Sequence, residues 1–166
     1  MRSLIATMLL VVACATTSSE QRLQREIQAE YDKLGAAFSR QDLDAVLSFR
    51  TDDFQTFPPN GDAPTTTAEM KEYTRNWLLV QNKPPIKVRM TVESLEVRSK
   101  DEVAAHVLQW ASRYQDRDGK LVHVVHEVRQ RETWVRTPAG WKIRRVDQID
   151  LANRKRWVDG VLEKRQ

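Results

Sequence analysis

The sequence predicts an α+β domain, a curled antiparallel sheet closed by three N-terminal helices. Two observations carry that expectation. Apolar residues recur every three or four positions up to about Val80, then alternate from Ile86 onward. Turn formers such as Asp118-Gly119 and "TPAG" cut the alternating part into long hairpin-linked runs.

Leu23, Ile27, Tyr31, Leu34 and Phe38 form one stripe of an amphipathic helix. Thr17 with Glu20, or Ser18 with Gln21, is expected to cap its start by accepting from the first free N–H groups. The helix is expected to end near Ser39–Gln41. Asp42 then opens a short second helix that turns Leu43, Val46 and Leu47 inward and reaches about Arg50. Phe54 and Thr56 belong to a short strand stopped by Pro58 and Pro59. "PPNGDAPTTT" is a loop of turn formers. Thr66 with Glu69 makes a second capping box, and Met70, Tyr73, Trp77 and Val80 share the face of a third helix, ended by "QNKPP".

Past Pro85 the period becomes two. Ile86, Val88, Met90 and Val92 alternate with Lys87, Arg89 and Thr91, and the phase slips at Leu95 and Val97, as at a β-bulge. "SKDE" is a turn. Val103 to Tyr114 form a long strand, apolar on both faces over Val103–Ala111. A solvated outer face should be polar, so a homodimer through that face is expected. Val122, Val124, Val128 and Trp134 belong to the return strand, opposite Glu127, Arg129 and Arg131. Trp141 and Ile143 open a last strand reaching about Ile149. The tail, residues 152–166, is basic and is expected as a surface helix anchored by Trp157 and Leu162.

The chain has 166 residues and a formal net charge of +4, enough for one domain without staples. Its start divides from the rest. "MRSLIATMLLVVACATTSSE" holds one early cation, Arg2, then an apolar run from Leu4 to Ala13. That run falls short of the ~20 residues that cross a bilayer and has the size of a signal-peptide core. Val11, Val12, Ala13 and Cys14 resemble a bacterial lipobox, which implies cleavage before Cys14 and acylation of its thiol. Ala13-Cys14-Ala15 also has the A-x-A form cut by signal peptidase I. Residues 1–13 are thus read as a lipoprotein-type signal peptide, 14–18 as a tether and 19–151 as the domain. Ala15, rather than Asp, points to the outer membrane, facing the periplasm; a soluble periplasmic or secreted chain is the alternative. Nucleic acid is not an expected partner there. Cys14 is the single cysteine, so no internal disulfide forms.

Two phrases, "DLDAVLSFRTDDF" after the first helix and "ETWVRTPAGWKIRRVDQ" near the end, together with the order of elements, resemble the SnoaL-like branch of the nuclear transport factor 2-like superfamily. The resemblance spans about Ser19 to Leu151 and implies a cone-shaped fold around a pocket. It also implies places for the groups of a ketosteroid isomerase. The base would fall at Pro58 after Phe57, the tyrosine near Leu34, and the protonated acid near Gln130 or Arg131. None of the three has the required side chain, so that activity is not expected. Asp52 and Asp53 match paired acids that serve the turn into the first strand.

What could still do chemistry is sparse. His126 is in phase with Val124 and Val128, and His106 with Leu108 and Trp110. If both phases face inward, two histidines meet in an apolar cavity and could act as acid or base. Asp147, in phase with Trp141, Ile143 and Arg145, could orient one of them or pair with Arg145. Tyr31, Tyr73, Trp77, Trp110 and Trp134 are the candidate pocket residues. His123 and His126 are three apart on a strand and point to opposite faces, so no metal site is expected, and no cofactor is implied. Two functions stand open: an envelope-anchored module holding a small, mainly apolar ligand or serving as a dimeric accessory, and a small-molecule isomerase, dehydratase or hydrolase using His126.

Overall fold

The computed structural model describes residues 3–56 and 67–163, with side chains from Ser19 onward. Three helices, α1 (Ser3–Ser39), α2 (Leu43–Ser48) and α3 (Thr67–Arg75), alternate with and precede seven strands. These are β1 (Arg50–Thr56), β2 (Lys83–Ser99), β3 (Glu102–Arg117), β4 (Lys120–Thr137), β5 (Gly140–Ile149), β6 (Lys155–Val158) and β7 (Val161–Leu162). The sheet runs β1-β5-β4-β3-β2, with the β6–β7 hairpin added beside β4. It is mixed rather than wholly antiparallel: β1 lies parallel to β5, because the chain returns to β1's edge only after α3 and three hairpin-linked strands.

The expected stripe of α1 packs on the sheet, with Ile27, Tyr31 and Leu34 buried and Leu23 and Phe38 partly so. α1 does not start at Thr17 or Ser18. It runs through them from Ser3, since no glycine or proline interrupts residues 3–18. Among the described residues no helix is long and apolar enough to cross a membrane. Gly35 is where α1 lies closest to the sheet: a Cβ there would stand 2.8 Å from the Val88 carbonyl oxygen. Asp42 caps α2, its carboxylate accepting from the Ala45 N–H at 3.0 Å.

α3 opens at Thr67, whose hydroxyl donates to the Asp52 and Phe54 carbonyls and pins the helix to β1; the expected cap Thr66 lies outside the described residues. At Asn76 the helix widens into a π turn to Gln81. The buried face differs from the expected one: Thr74 and Leu78 point inward, while Tyr73 and Val80 are exposed.

β2 buries Ile86, Val88, Met90 and Val92 as alternation predicts, and a register shift follows between Val92 and Ser94. Further shifts on β5 leave Arg144 and Asp147 as extra residues against β4. The tail forms a hairpin, not a helix. Asp159 and Gly160 both take positive φ, +49° and +83°, the turn that an Asp-Gly pair favours between β-branched residues. Trp157 is partly buried there, whereas Leu162 is exposed and anchors nothing. β6 pairs with β4 where β5 has left it, setting Arg156 opposite His126.

Candidate functional site

The curled sheet and the helices enclose a cavity of about 330 Å³. Its spine is the inward phase of β4: His126, Val128, Gln130 and Glu132, opposite Ala111, Gln109, Val107 and Ala105 of β3. Glu132 lies six positions beyond His126, on the order of 20 Å of extended strand. Two polar ends are thus held apart, with Phe38, Phe54, Met90, Val128 and Ile143 among the apolar walls between them.

Glu132 stands at the deep end, only 3% exposed. The Tyr31 hydroxyl donates to its Oε2 at 2.8 Å, the Trp134 Nε1–H donates to the Tyr31 oxygen at 2.8 Å, and the Gln130 amide donates to Oε1. Tyr31 and Trp134 meet edge to face, centroids 4.9 Å apart. Burial lifts the Glu132 carboxyl to about 7, although the Tyr31 hydrogen bond and the Arg50 charge pull the other way. Burial and the same carboxylate push the Tyr31 phenol well up. Arg50, lowered by burial, lies over Phe54 at 4.7 Å and donates to Thr74 Oγ1 at 2.9 Å.

The other end reaches solvent past Tyr73 and is built around Arg113. Its Nε donates to Asn82 Oδ1 at 2.6 Å, its Nη1 meets His126 Nδ1, and its guanidinium lies 5.4 Å from the Trp77 ring centroid. Gln115 also donates to Asn82 Oδ1, at 2.9 Å, and Asn82 donates to the Trp77 carbonyl, so the amide is oriented from both sides. A guanidinium only donates, so His126 Nδ1 accepts and its ring proton sits on Nε2. Burial, then the charges of Arg113, Arg154 and Arg156, drive the His126 imidazole down to about 3. Near neutral pH it is an uncharged hydrogen-bond donor, held by Arg113. Burial also lowers Arg113, to about 10.

The predicted site residues scatter around this frame. His126 lines the cavity, as its phase with Val124 and Val128 requires. His106 does not: it is exposed on the outer face opposite Arg131, because the inward phase of β3 is Val103, Ala105, Val107 and Ala111. Trp110 lies on that outer face too, under the Arg89 guanidinium at 5.4 Å. The bulge at Asp147 turns it outward, where it accepts from Thr133 Oγ1 at 2.6 Å and pairs with Arg145; it meets no histidine. Tyr73 and Trp77 line the cavity, Tyr73 at the rim and 59% exposed. Tyr31 and Trp134 are fully buried behind Glu132. Asp52 and Asp53 are exposed, with Asp53 3.4 Å from Arg144, so the acids of "RTDDF" serve the scaffold. Phe57 and Pro58 lie outside the described residues, as does the side chain of Cys14. Among the described residues no cluster of three or more His, Cys, Asp or Glu forms a metal site.

Glu132, Arg113 and Arg50 are the groups that sequence reasoning passed over. Two carry a readable signal: Glu132 is in phase with Val128 and Trp134, and Arg113 with Val107 and Ala111. A charged residue in the apolar phase of a strand is costly unless something holds it.

No family model and no curated protein matches this chain. Solved structures do. A scytalone-dehydratase-like protein of Novosphingobium aromaticivorans superposes with a TM-score of 0.66 at 11% identity, covering 79% of this chain and 85% of its own. A nuclear transport factor 2-like superfamily protein of Salmonella enterica gives 0.59 at 13%, covering 78% and 91%. A type 2 hexachlorocyclohexane dehydrochlorinase gives 0.61 at 13%, covering 89% and 93%. At such identities the likeness fixes the fold, and the fold is the nuclear transport factor 2-like cone.

Proposed function

We propose that this cone holds a small, mainly apolar molecule, as a binding or accessory module of the cell envelope. The observation that carries the reading is the cavity itself: about 330 Å³, with apolar walls along much of its length, a built polar group at each end, and an opening to solvent at the Arg113 end. A cavity retained only as core would be filled, since interiors pack like organic crystals. Apolar hollows with a few convergent polar groups are the usual form of ligand sites. Native mass spectrometry of the chain isolated from its own membranes tests it. A non-covalent mass should accompany the chain and be lost in Val128→Trp, which fills the cavity. A bare chain in both cases would reject the reading.

One observation favours a second reading, acid–base catalysis on the bound molecule. Glu132 lines the cavity with a carboxyl lifted to about 7, matched to giving or taking a proton near neutral pH. In this reading Glu132 takes the role that the sequence offered to His126, and His126 donates a hydrogen bond. The dehydratase-like and dehydrochlorinase neighbours lend this class of chemistry support. Glu132→Gln separates the two: turnover disappears while binding remains.

The envelope location rests on acylation of Cys14 within "VVAC". Dimerisation rests on an outer face where Leu108 and Trp110 are only partly covered and Val97 is exposed. Sedimentation equilibrium of the parent and of Trp110→Glu checks it. A dimer that the substitution dissociates supports this face, and a monomeric parent rejects it.

A further inference from the structure

We propose that the molecule held in the cone is a small organic carboxylate, its head group bound by Arg113 and the His126 Nε2–H and its apolar body laid along Met90, Val128 and Ile143. This rests on the reading of the cavity as a ligand site and adds the ligand's charge and orientation.

Arg113 is a buried cation without a counter-ion. Its partners are an amide oxygen of Asn82 and a neutral ring nitrogen of His126, and no carboxylate stands within ion-pair distance of it among the described residues. Fixing a guanidinium away from water with only neutral acceptors is unfavourable unless an anion completes the site. Two of its five N–H groups are engaged, which leaves three. That remainder suits the planar fork of a carboxylate.

Its surroundings reinforce the sign. Arg154 and Arg156 line the same end, and the nearby carboxylate, Glu163, is already shared between Arg156 and Arg117. Among the described residues the one acid lining the cavity, Glu132, lies six positions farther along β4 and is influenced by Arg50 and Asp147 rather than by Arg113. The charges of Arg154 and Arg156 act on Arg113 and His126 in the same sense, so the potential at this end is positive and favours an anion. His126 supports the same choice. With Nδ1 occupied by Arg113, its remaining ring donor is Nε2–H, which suits an acceptor. Between this end and Glu132 the walls are largely apolar, so a charged head and an apolar body are sorted by the cavity's own polarity.

The test is isothermal titration calorimetry of the full chain with matched sets built on hexyl, cyclohexylmethyl and phenylethyl bodies. Each body is offered as carboxylate, primary amide and phosphate monoester. For at least one body the carboxylate should bind ten-fold or more tightly than its amide, and Arg113→Met should remove that preference while leaving amide binding in place. If Arg113→Met does not fold, as judged by circular dichroism, Arg113→Lys replaces it: charge is kept, the fork is lost, and the preference should fall by several-fold. Amides binding as well as carboxylates would overturn the proposal and leave the cavity reading intact. A phosphate monoester binding more tightly than the carboxylate would overturn the head-group assignment. No binding by any compound would sink both.

Discussion

Two inward side chains of one strand, at opposite ends of the cavity, titrate in opposite senses, and their effects on stability can be separated. The Glu132 carboxyl is raised from an ordinary 4.5 to about 7. The folded chain therefore holds a proton that the unfolded chain releases, and this contribution is full below about pH 4.5 and lost as pH climbs to about 7. His126 is lowered from 6.5 to about 3, so its contribution is full above about pH 6.5 and fades on acidification toward 3. Between roughly pH 4.5 and 6.5 the two slopes oppose, each at most about 1.4 kcal/mol per pH unit. In that window Glu132→Gln should lose stability as the pH falls, and His126→Gln, which can still accept from Arg113, should gain it. Urea unfolding of the parent and both variants across that range checks this; three profiles of the same slope would contradict both assignments.

At the scale of elements, the approach of α1 to β2 is the tightest joint. Gly35→Ala should gain up to about 1 kcal/mol of helix propensity. It should lose more, because the new methyl meets the Val88 carbonyl oxygen at 2.8 Å, and a backbone oxygen cannot rotate away. A net loss of about 1–2 kcal/mol is expected from thermal unfolding; unchanged or higher stability would mean that the helix slides freely on the sheet. The elements themselves were largely legible. The steps of Ile27, Tyr31 and Leu34 and the alternation of Ile86 to Val92 each report a burial pattern that the fold satisfies. What alternation cannot report is a shift that an extra residue inserts. The bulges at Arg144 and Asp147 invert the phase, so Asp147, which plain alternation groups with the inward Trp141 and Ile143, faces outward. On α3 and its π turn the buried positions are Thr74 and Leu78, one step on from Tyr73 and Trp77, which apolar spacing alone favours. The tail departs from expectation for a different reason. Its five basic residues suit a solvated helix, but Asp159-Gly160 is the same turn signal that marks the β3–β4 hairpin at Asp118-Gly119, and it folds the segment into β6 and β7. The site was less legible than the fold. Alternation gave His126 its inward direction, but Glu132 sits in the run "RQRE", whose Arg129 and Arg131 face outward, and its isolation shows only against Val128 and Trp134.

For the whole molecule, location and occupancy are distinct claims. If Cys14 is acylated, the parent chain should sediment with membranes and resist carbonate extraction, whereas Cys14→Ser should appear in the soluble fraction. A variant that stays with the membrane would reject the anchor. Occupancy rests on the cone being hollow between Arg113 and Glu132. Apolar hollows in proteins take up xenon, so diffraction from a xenon-pressurised crystal tests it most directly. Xenon density should lie among Phe54, Met90, Val128 and Ile143, with those side chains unmoved. An interior closed by repacked side chains, with no xenon between them, would contradict the account.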